Sequence, residues 1–479
     1  MRKVEFIDIP NLEKARLRKH NADTIFFSFN PSKEALIYFK NKKYFIRTYG
    51  CQSNIRDEET MSGILDKLGM IKTYNENEAD VAILNTCAVR ENAEDKVFGQ
   101  IGDFKKIKEQ NKKLILLICG CMIEQKHIID KILSTFPYVD IMFGTHNIKD
   151  LVLLLSNYID NNIRYVDVSS YEGDIIEDLP VKRLETYKAF VNITYGCNNF
   201  CSYCIVPYTR GKERSRSEEE ILKECEELVK KGYKEITLLG QNVDAYGKDL
   251  KNGSTFARLL DKVASLNVPR VRFLTSYPSD FKDEVIDVIA KHSNIMKFIH
   301  LPVQSGSNSI LKTMNRRYTR EEYLELVNKI KNKIPSMEFS TDIIVGFPNE
   351  SYEEFLDTVS LAREVHYTSA FTFIYSPRVG TPAAKMKDNV TYEEKVKRFK
   401  ELVKELEIDF NFYAQRMVGN TYEVLVEEVS KKNKNLLSGY TENNKVVHFK
   451  GDKSLIGNIV KVKILENHLY SLIGEIVNE

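Results

Sequence analysis

A chain of 479 residues, 43% hydrophobic and 29% charged, has the composition of a soluble globular protein and room for about two to four domains. Its formal net charge of +2 excludes bulk electrostatics as the means of holding a nucleic acid, so any such partner must meet a local basic face. The N-terminus is too charged for a secretory signal, and the longest apolar runs, 114–119 and 151–155, are too short to span a bilayer.

A cytoplasmic protein with no membrane partner is therefore expected. In that reducing compartment the eight cysteines read as metal ligands or free thiols rather than disulfides. Residues 1–41 are polar and irregular, and read as an N-terminal extension, partly disordered or packed on the surface. From residue 42 the pattern changes. Short apolar strands are expected at 44–48, 81–84 and 114–118, with a helix at 57–68. Strands alternating with helices make a parallel sheet with crossovers, so this first domain, 42–160, is an α/β sheet domain. Sites in such sheets form at the carboxyl ends of the strands. Cys51, Cys87 and Cys121 each follow a predicted strand. They make a second candidate cluster site, although buried cysteines at strand ends would give the same pattern. Cys119 directly follows the apolar run and is expected to point into the core, with Gly120 freeing the backbone for Cys121. Cys225 lies in a helical stretch, 218–231, and reads as a packing residue.

After a linker at about 160–185, a second alternation begins at 183. Strands are expected at 189–194, 235–239, 270–275, 298–302, 340–345 and 370–374. Six strand–helix units to residue 413 make a partial (β/α)6 barrel, two units short of a closed one. The string TYGCNNFCSYC follows its first strand. Its C-x3-C-x2-C spacing lets Cys197, Cys201 and Cys204 each bind a different iron of a 4Fe–4S cluster, leaving one iron open to a non-protein ligand. A zinc site would want a fourth ligand nearby, and no Cys or His follows Cys204 until Cys225. This is the signature of radical S-adenosylmethionine (SAM) enzymes. A charged amphipathic helix at 395–412 follows. Residues 416–479 then alternate like strands at 422–429, 445–449, 459–464 and 470–477, a small antiparallel β-barrel of oligonucleotide-binding character. It carries Lys431, Lys432, Lys434, Lys450, Lys453, Lys461 and Lys463, with Phe449 and Tyr440 as candidate stacking surfaces. The plainer reading is a solvated lysine-rich face.

From residue 43 to the C-terminus the chain resembles the radical SAM methylthiotransferases, and within them the MiaB-type tRNA-modifying branch. The strings that carry the resemblance are TYGCQSN (48–54), NTCAVRENAEDKVFGQIG (85–102), CGCM (119–122), FGTHNI (143–148), TYGCNNFCSYCIVPYTRGKERSR (194–216) and LLGQNVDAYG (238–247). HLPVQSGS (300–307), STDIIVGFP (340–348) and YSPRVGTPAA (375–384) complete them. The C-terminal barrel resembles the TRAM domain of that family, an RNA-binding module. Tyr277, where the family often has His, is a departure that leaves its role open.

The resemblance implies two [4Fe-4S] clusters: a SAM-binding one on Cys197, Cys201 and Cys204, and an auxiliary one on Cys51, Cys87 and Cys121. It implies insertion of sulfur, methylated, at carbon 2 of N6-isopentenyladenosine at tRNA position 37. That carbon carries no acidic proton, so a radical is needed, and no catalytic side chain is expected beyond the cluster ligands. One SAM supplies a methyl group and a second the 5′-deoxyadenosyl radical, while the auxiliary cluster carries the sulfur. Tyr203, Gln241, Asn242, Ser276, Gln304 and Asp342 are candidate SAM contacts, although Asp342 could serve only a neighbouring backbone group and Gln304 only brace a loop. Arg210, Lys212, Arg214 and Arg216 are candidate contacts to the phosphates of the tRNA anticodon stem-loop, the plainer reading being a solvated charged loop. The partners implied are that tRNA, a reducing electron donor and a sulfur donor, with the chain a monomer. The competing readings are a sibling methylthiotransferase, acting on threonylcarbamoyl-adenosine tRNA or a ribosomal protein, and a non-enzymatic iron–sulfur RNA-binding protein.

Overall fold

The computed structural model describes residues 3–11, 23–88, 91–169 and 173–477, with the side chains of 91–93 left aside. The chain divides into two units. The first holds residues 1–184, 194–200 and 204–216; the second holds 185–193, 201–203 and 217–479.

In the first unit, in chain order, lie β1 (Val4–Asp8), β2 (Thr24–Phe26), α1 (Lys33–Phe39), β3 (Lys43–Thr48), α2 (Gln52–Lys67), β4 (Ile71–Lys72) and β5 (Val81–Thr86). Then come α3 (Glu91–Gln110), β6 (Ile115–Gly120), α4 (Lys126–Thr135), β7 (Ile141–Phe143), α5 (Leu151–Asn161), β8 (Arg164–Asp167) and β9 (Ile175–Glu177). Seven strands form one sheet in the order β1-β8-β7-β6-β5-β3-β4, every pair parallel. Every residue of β5 and β6 is buried, as a strand covered on both faces requires. Alternate residues of β6 serve opposite layers. Ile115, Leu117 and Cys119 join the layer with Met61 and Ile64; Leu116 and Ile118 join the layer with Phe104 and Ile129. Each such side chain contributes about 1.5–3 kcal/mol by leaving water.

The stretch expected to be an irregular extension is partly built into this sheet. β1 pairs with β8 along one edge, β2 pairs with β9, and α1, capped by Ser32, buries Ala35 and Phe39. The supposed linker likewise supplies β8 and β9. These strands are only three to five residues long, too short for an alternation to stand out in sequence.

The chain then forms β10 (Lys188–Asn192) of the second unit. It next supplies β11 (Thr194–Tyr195), α6 (Val206–Thr209) and β12 (Arg214–Ser215) to the first, where β11 and β12 pair antiparallel. The second unit continues with α7 (Glu218–Lys230), β13 (Glu235–Leu239), α8 (Phe256–Ala264), β14 (Arg270–Phe273), α9 (Asp283–Lys291), β15 (Phe298–His300), α10 (Asn308–Thr313) and α11 (Arg320–Lys333). β16 (Glu338–Val345), α12 (Tyr352–Val365), β17 (Ser369–Ile374) and α13 (Tyr392–Met417) follow. Strands β10-β13-β14 and β15-β16-β17 are parallel triplets, joined by a parallel bridge between Val271 and Ile295. This is the expected six-strand partial barrel. Its helices start where sequence dictates: Ser217, Thr319 and Ser351 cap α7, α11 and α12 with side-chain acceptors, the last two in capping boxes with Glu322 and Glu354.

Five strands close the C-terminal barrel: β18 (Thr421–Val429), β19 (Leu437–Thr441), β20 (Val446–Phe449), β21 (Ile459–Asn467) and β22 (Leu472–Ile476), in the order β18-β19-β20-β22-β21. Four pairings are antiparallel and β20–β22 is parallel. The strand at Leu437–Thr441, not expected from the sequence, contains Gly439, whose backbone passes so close to Leu425 that a Cβ would lie 2.3 Å from its carbonyl oxygen. The barrel docks under the amino ends of the partial barrel's strands. Arg270 donates to the carbonyls of Tyr440 (2.9 Å) and Glu423 (2.8 Å), Arg272 to that of Thr441 (3.0 Å), and the Tyr187 hydroxyl to that of Glu427 (2.8 Å).

Candidate functional site

In the first unit three loops leave the adjacent carboxyl ends of β3, β5 and β6, and carry Cys51, Cys87 and Cys121. Asn54, fully buried, ties two of them together. Its side-chain Oδ1 accepts from the Cys51 backbone N–H (3.3 Å) and faces the Cys51 Sγ at 3.4 Å, while its side-chain amide donates to Thr86 O (3.1 Å) and Asn85 Oδ1 (3.3 Å). Asn85 returns a bond to the Asn54 carbonyl (2.8 Å), and the Thr86 hydroxyl donates to the Cys119 carbonyl. Gly50 is demanded by this closeness, since a Cβ there would lie 2.3 Å from Asn54 Oδ1 and 3.0 Å from Cys87 Cβ. Gly120 is demanded more strongly: its φ is +94° and a Cβ would lie 2.3 Å from Thr86 O.

Cys51 is the N-cap residue of α2. Cys121 is buried, and burial pushes its thiol up to about 12; nearby Cys87, Cys51 and Asp57 push the same way, while the Arg210 guanidinium opposes them. These mutual effects place the three strand-end thiols in one electrostatic neighbourhood. Cys119 points the other way, into the core, its sulfur 3.7 Å from that of Met61. Burial, then Asp57, Cys121 and Glu58, hold its thiol well above the ordinary value. Cys225 is fully buried on α7. All eight cysteines are free of disulfides.

Arg210 is the residue whose place sequence reasoning misjudged. It is buried, donating from Nε to Cys121 Sγ (3.2 Å) and from Nη2 to Asp57 (2.8 Å). Burial alone would lower its pKa, but Asp57, Cys121 and Cys51 outweigh it and raise it. Arg216 is buried too, in a two-pronged pair with Glu177 (2.8 and 2.6 Å). Arg214 is buried with its guanidinium 5.9 Å from the Tyr195 ring centre. Three of the four residues expected to meet tRNA phosphates are thus turned inward, and only Lys212 is partly exposed. A basic run adjoining a site carries no sequence mark of which way its side chains turn. In the C-terminal barrel, Lys431, Lys432, Lys434, Lys450, Lys453, Lys461 and Lys463 are all exposed and Tyr440 is partly so. Phe449, expected as a stacking surface, is fully buried in the barrel core and offers none.

The loop holding Cys197 and Cys204 is pinned at its base. Cys197 N–H donates to Gly211 O (3.1 Å), Glu213 N–H to Asn198 Oδ1 (3.1 Å), and the Thr194 hydroxyl to Arg214 O (3.1 Å). In the second unit Cys201 is buried beside Arg316, whose Nη1 donates to Cys201 Sγ (3.5 Å) and Nη2 to Pro302 O (2.6 Å). The Arg316 guanidinium lies 4.4 Å from the ring centre of Tyr277 and 5.1 Å from that of Tyr318. Tyr277, flagged above, therefore supports this arginine. Arg316 was missed entirely: an arginine 115 residues from its cysteine has no local signal.

The SAM candidates divide. Asn242 is buried; its amide donates to Asp280 (2.6 Å) and its Oδ1 has no partner among the described residues, an acceptor open to a donor. Ser276 is buried against Asp244 (3.5 Å), whose carboxyl is raised to about 7, burial being the main cause. Gln304 holds a left-handed φ of +71° and bridges to Ile343 through its backbone, a strained conformation of the kind found at functional sites. Asp342 is 3.5 Å from His300 Nε2. Tyr203 packs, half-buried, on Ile310, Met314, Phe347, Tyr375 and Ala383. Gln241 is half-buried.

Among the described residues no three His, Cys, Asp or Glu side chains are placed to hold one metal ion. Three thiolates that each take a different iron do not require that geometry. Three strand-end thiols, a helix N-terminus and a buried guanidinium fit a group that is rich in sulfur and anionic. No helix among the described residues is long and apolar enough to cross a membrane.

Comparison with known proteins places these features in a lineage. The uncharacterized protein family UPF0004 matches residues 43–144, the radical SAM superfamily residues 191–362 and the TRAM domain residues 415–477. A Bacillus cytotoxicus protein named tRNA-2-methylthio-N(6)-dimethylallyladenosine synthase is 51% identical over 476 residues, covering 98% of this chain and 92% of the relative. Its Bacillus subtilis (strain 168) namesake is 50% identical over 477 residues, with the same coverage. A likeness over 98% of the chain reaches into the N-terminal stretch that was expected to lie outside it. Among solved structures, the radical SAM methyltransferase TsrM from Kitasatospora setae aligns with a TM-score of 0.52 at 13% identity, over 72% of this chain and 77% of that one. The cobalamin-dependent radical SAM enzyme OxsB aligns at 0.50 and 12%, over 78% and 56%. At such identities the likeness is one of fold alone.

Proposed function

The chain belongs to the tRNA-2-methylthio-N(6)-dimethylallyladenosine synthase family, and from that premise we propose how its residues serve the reaction. The protein is a radical SAM enzyme that converts the N6-dimethylallyladenosine of tRNA to its 2-methylthio derivative. Two sets of thiols divide the work. Cys197, Cys201 and Cys204 hold the 4Fe–4S cluster that binds SAM, and Cys51, Cys87 and Cys121 hold an auxiliary one. When bound, the first supplies the electron that cleaves SAM, and the second carries the sulfur.

Arg316 and Arg210 each keep a guanidinium on one thiol of one set, Cys201 and Cys121. A buried cation there stabilises thiolate charge that would otherwise be costly. Asn242, with its open Oδ1, Ser276, Gln304 and Asp342 bind the polar parts of SAM at the carboxyl ends of β13 to β16, aided by Gln241. Tyr203 takes the adenine. Lys212 and the exposed lysines of the C-terminal barrel meet tRNA phosphates. An electron donor and a sulfur donor are needed to balance the reaction.

The observation that carries this reading is identity of about one half over 98% of the chain, a span that includes both cysteine sets and the three matched regions. The test is mass spectrometry of nucleosides from dimethylallylated tRNA, incubated anaerobically with cluster-reconstituted protein, reductant, sulfide and SAM. The 2-methylthio nucleoside is expected; 5′-deoxyadenosine without it would reassign the substrate. Iron analysis checks the ligand sets: Cys51→Ala should lose about half the iron, and Cys119→Ala and Cys225→Ala none.

A further inference from the structure

The two faces of the β15-β16-β17 triplet differ sharply. On β16, Phe339, Thr341, Ile343 and Val345 are buried to 1% exposure or less. Lys331 of α11 lies 5.8 Å over the Phe339 ring, which marks this face as the one the helices cover. Ser340, Asp342 and Ile344 alternate with them and point the other way, into the lumen. Ile344 and Tyr203, the residue before Cys204 in the cysteine loop, both pack against the cluster of Ile310, Met314, Phe347, Tyr375 and Ala383.

Parallel register carries this lumen face across the sheet. His300 pairs with Ser340, Phe371 with Asp342, and Phe373 with Ile344, so all six side chains share one surface. His300 is fixed on it, with Nδ1 2.8 Å from Ser340 Oγ and Nε2 3.5 Å from Asp342, and it meets the Phe371 ring at 5.9 Å and 79°. Yet Phe371 is 56% exposed and Phe373 40%. Two phenylalanines left uncovered on the lumen side of an enzyme barrel gain nothing for the fold. Apolar surface of this kind marks a place where a ligand completes the packing.

The substrate named by the family presents what such a surface lacks: an aromatic base bearing a five-carbon apolar chain. A base taken out of its stack is held by aromatic faces. We propose that Phe371 and Phe373, with His300 set edge-on against Phe371, form the wall that receives the dimethylallylated adenine and selects it over unmodified adenine. The inference rests on the substrate stated above. It goes further by assigning that substrate's prenyl-reading surface to β17.

The test compares the affinity of cluster-loaded, SAM-bound protein for two anticodon stem-loop RNAs, one with dimethylallyladenosine and one with adenosine at the target position. Phe371→Ala and Phe373→Ala should each weaken binding of the prenylated RNA about tenfold and the plain RNA far less, which collapses the preference. Phe371→Leu, which keeps apolar bulk without a ring, should retain part of it and stands in if an alanine variant fails to fold. Alanine and leucine variants that keep the wild-type ratio of affinities, or that weaken both RNAs equally, would overturn the proposal. A wild-type protein that neither prefers the prenylated RNA nor forms the methylthio nucleoside would instead overturn the substrate reading.

Discussion

Arg210 and Asp57 form an ion pair with both side chains about nine-tenths buried, and the arginine also holds a cysteine sulfur. Two charges out of water are tolerated only when they are paired and hydrogen-bonded, and removing one partner strands the other. Arg210→Ala should therefore cost about 3–5 kcal/mol in urea unfolding of the iron-free protein. Asp57→Asn should fall on the same side, and a cost under about 1 kcal/mol for either would show that the pair is not buried in solution. Asp244 gives a residue-scale test with pH. Its folded value near 7 lies above its ordinary 3.8, so the folded state holds an extra proton between them. Stability from this group is full below pH 4, falls as pH rises through 7, and stays lost above. The stability of wild type minus that of Asp244→Asn should fall by on the order of 4 kcal/mol across that window; a flat difference would place the carboxylate in water.

Elements matter here chiefly by where they end. The loops after β3, β5 and β6 carry the thiols, and Gly120 sits at the tightest point. Gly120→Ala forces a φ of +94° on a residue with a Cβ that meets Thr86 O at 2.3 Å. About 1–3 kcal/mol of strain is expected, with displacement of Cys121, read as reduced iron content after reconstitution. Full iron and unchanged stability would show that the loop has room. Much of this was legible in sequence. Cys51, Cys87 and Cys121 followed apolar runs, and Cys119 directly followed the run at 114–118, which pointed it into the core. The six barrel strands were legible because each is apolar and punctuated by polar or glycine residues. What escaped had no local period to show. β1, β2, β8 and β9 are too short, and Arg210 and Arg316 act through partners 89 and 115 residues distant. Phe371 and Phe373 alternate like any strand residues; only the register reveals that they face the lumen.

At the scale of the molecule, the second unit joins the partial barrel to the C-terminal TRAM barrel through the amino ends of the partial barrel's strands, leaving their carboxyl ends uncovered by it. The exposed lysines of the C-terminal barrel are expected to contribute to tRNA affinity without touching stability. Lys431→Ala, Lys432→Ala and Lys450→Ala should each lower the slope of log affinity against log salt by about 1 with no change in melting temperature. An unchanged slope would return these lysines to the role of a solvated face.

The docking of that barrel has an evolutionary reading. Arg270, Arg272 and Tyr187 grip it by the carbonyl oxygens of Tyr440, Glu423, Thr441 and Glu427. Every amino acid at those positions presents the same oxygen. At these four points the joint reads backbone shape rather than side-chain identity, while the side chains of Glu427, Asn443 and Lys445 add contacts to Lys188, to Glu338 (2.6 Å) and to the Thr368 carbonyl. Substitutions outside these contacts can therefore alter the barrel's exposed, lysine-bearing surface while the backbone grips persist.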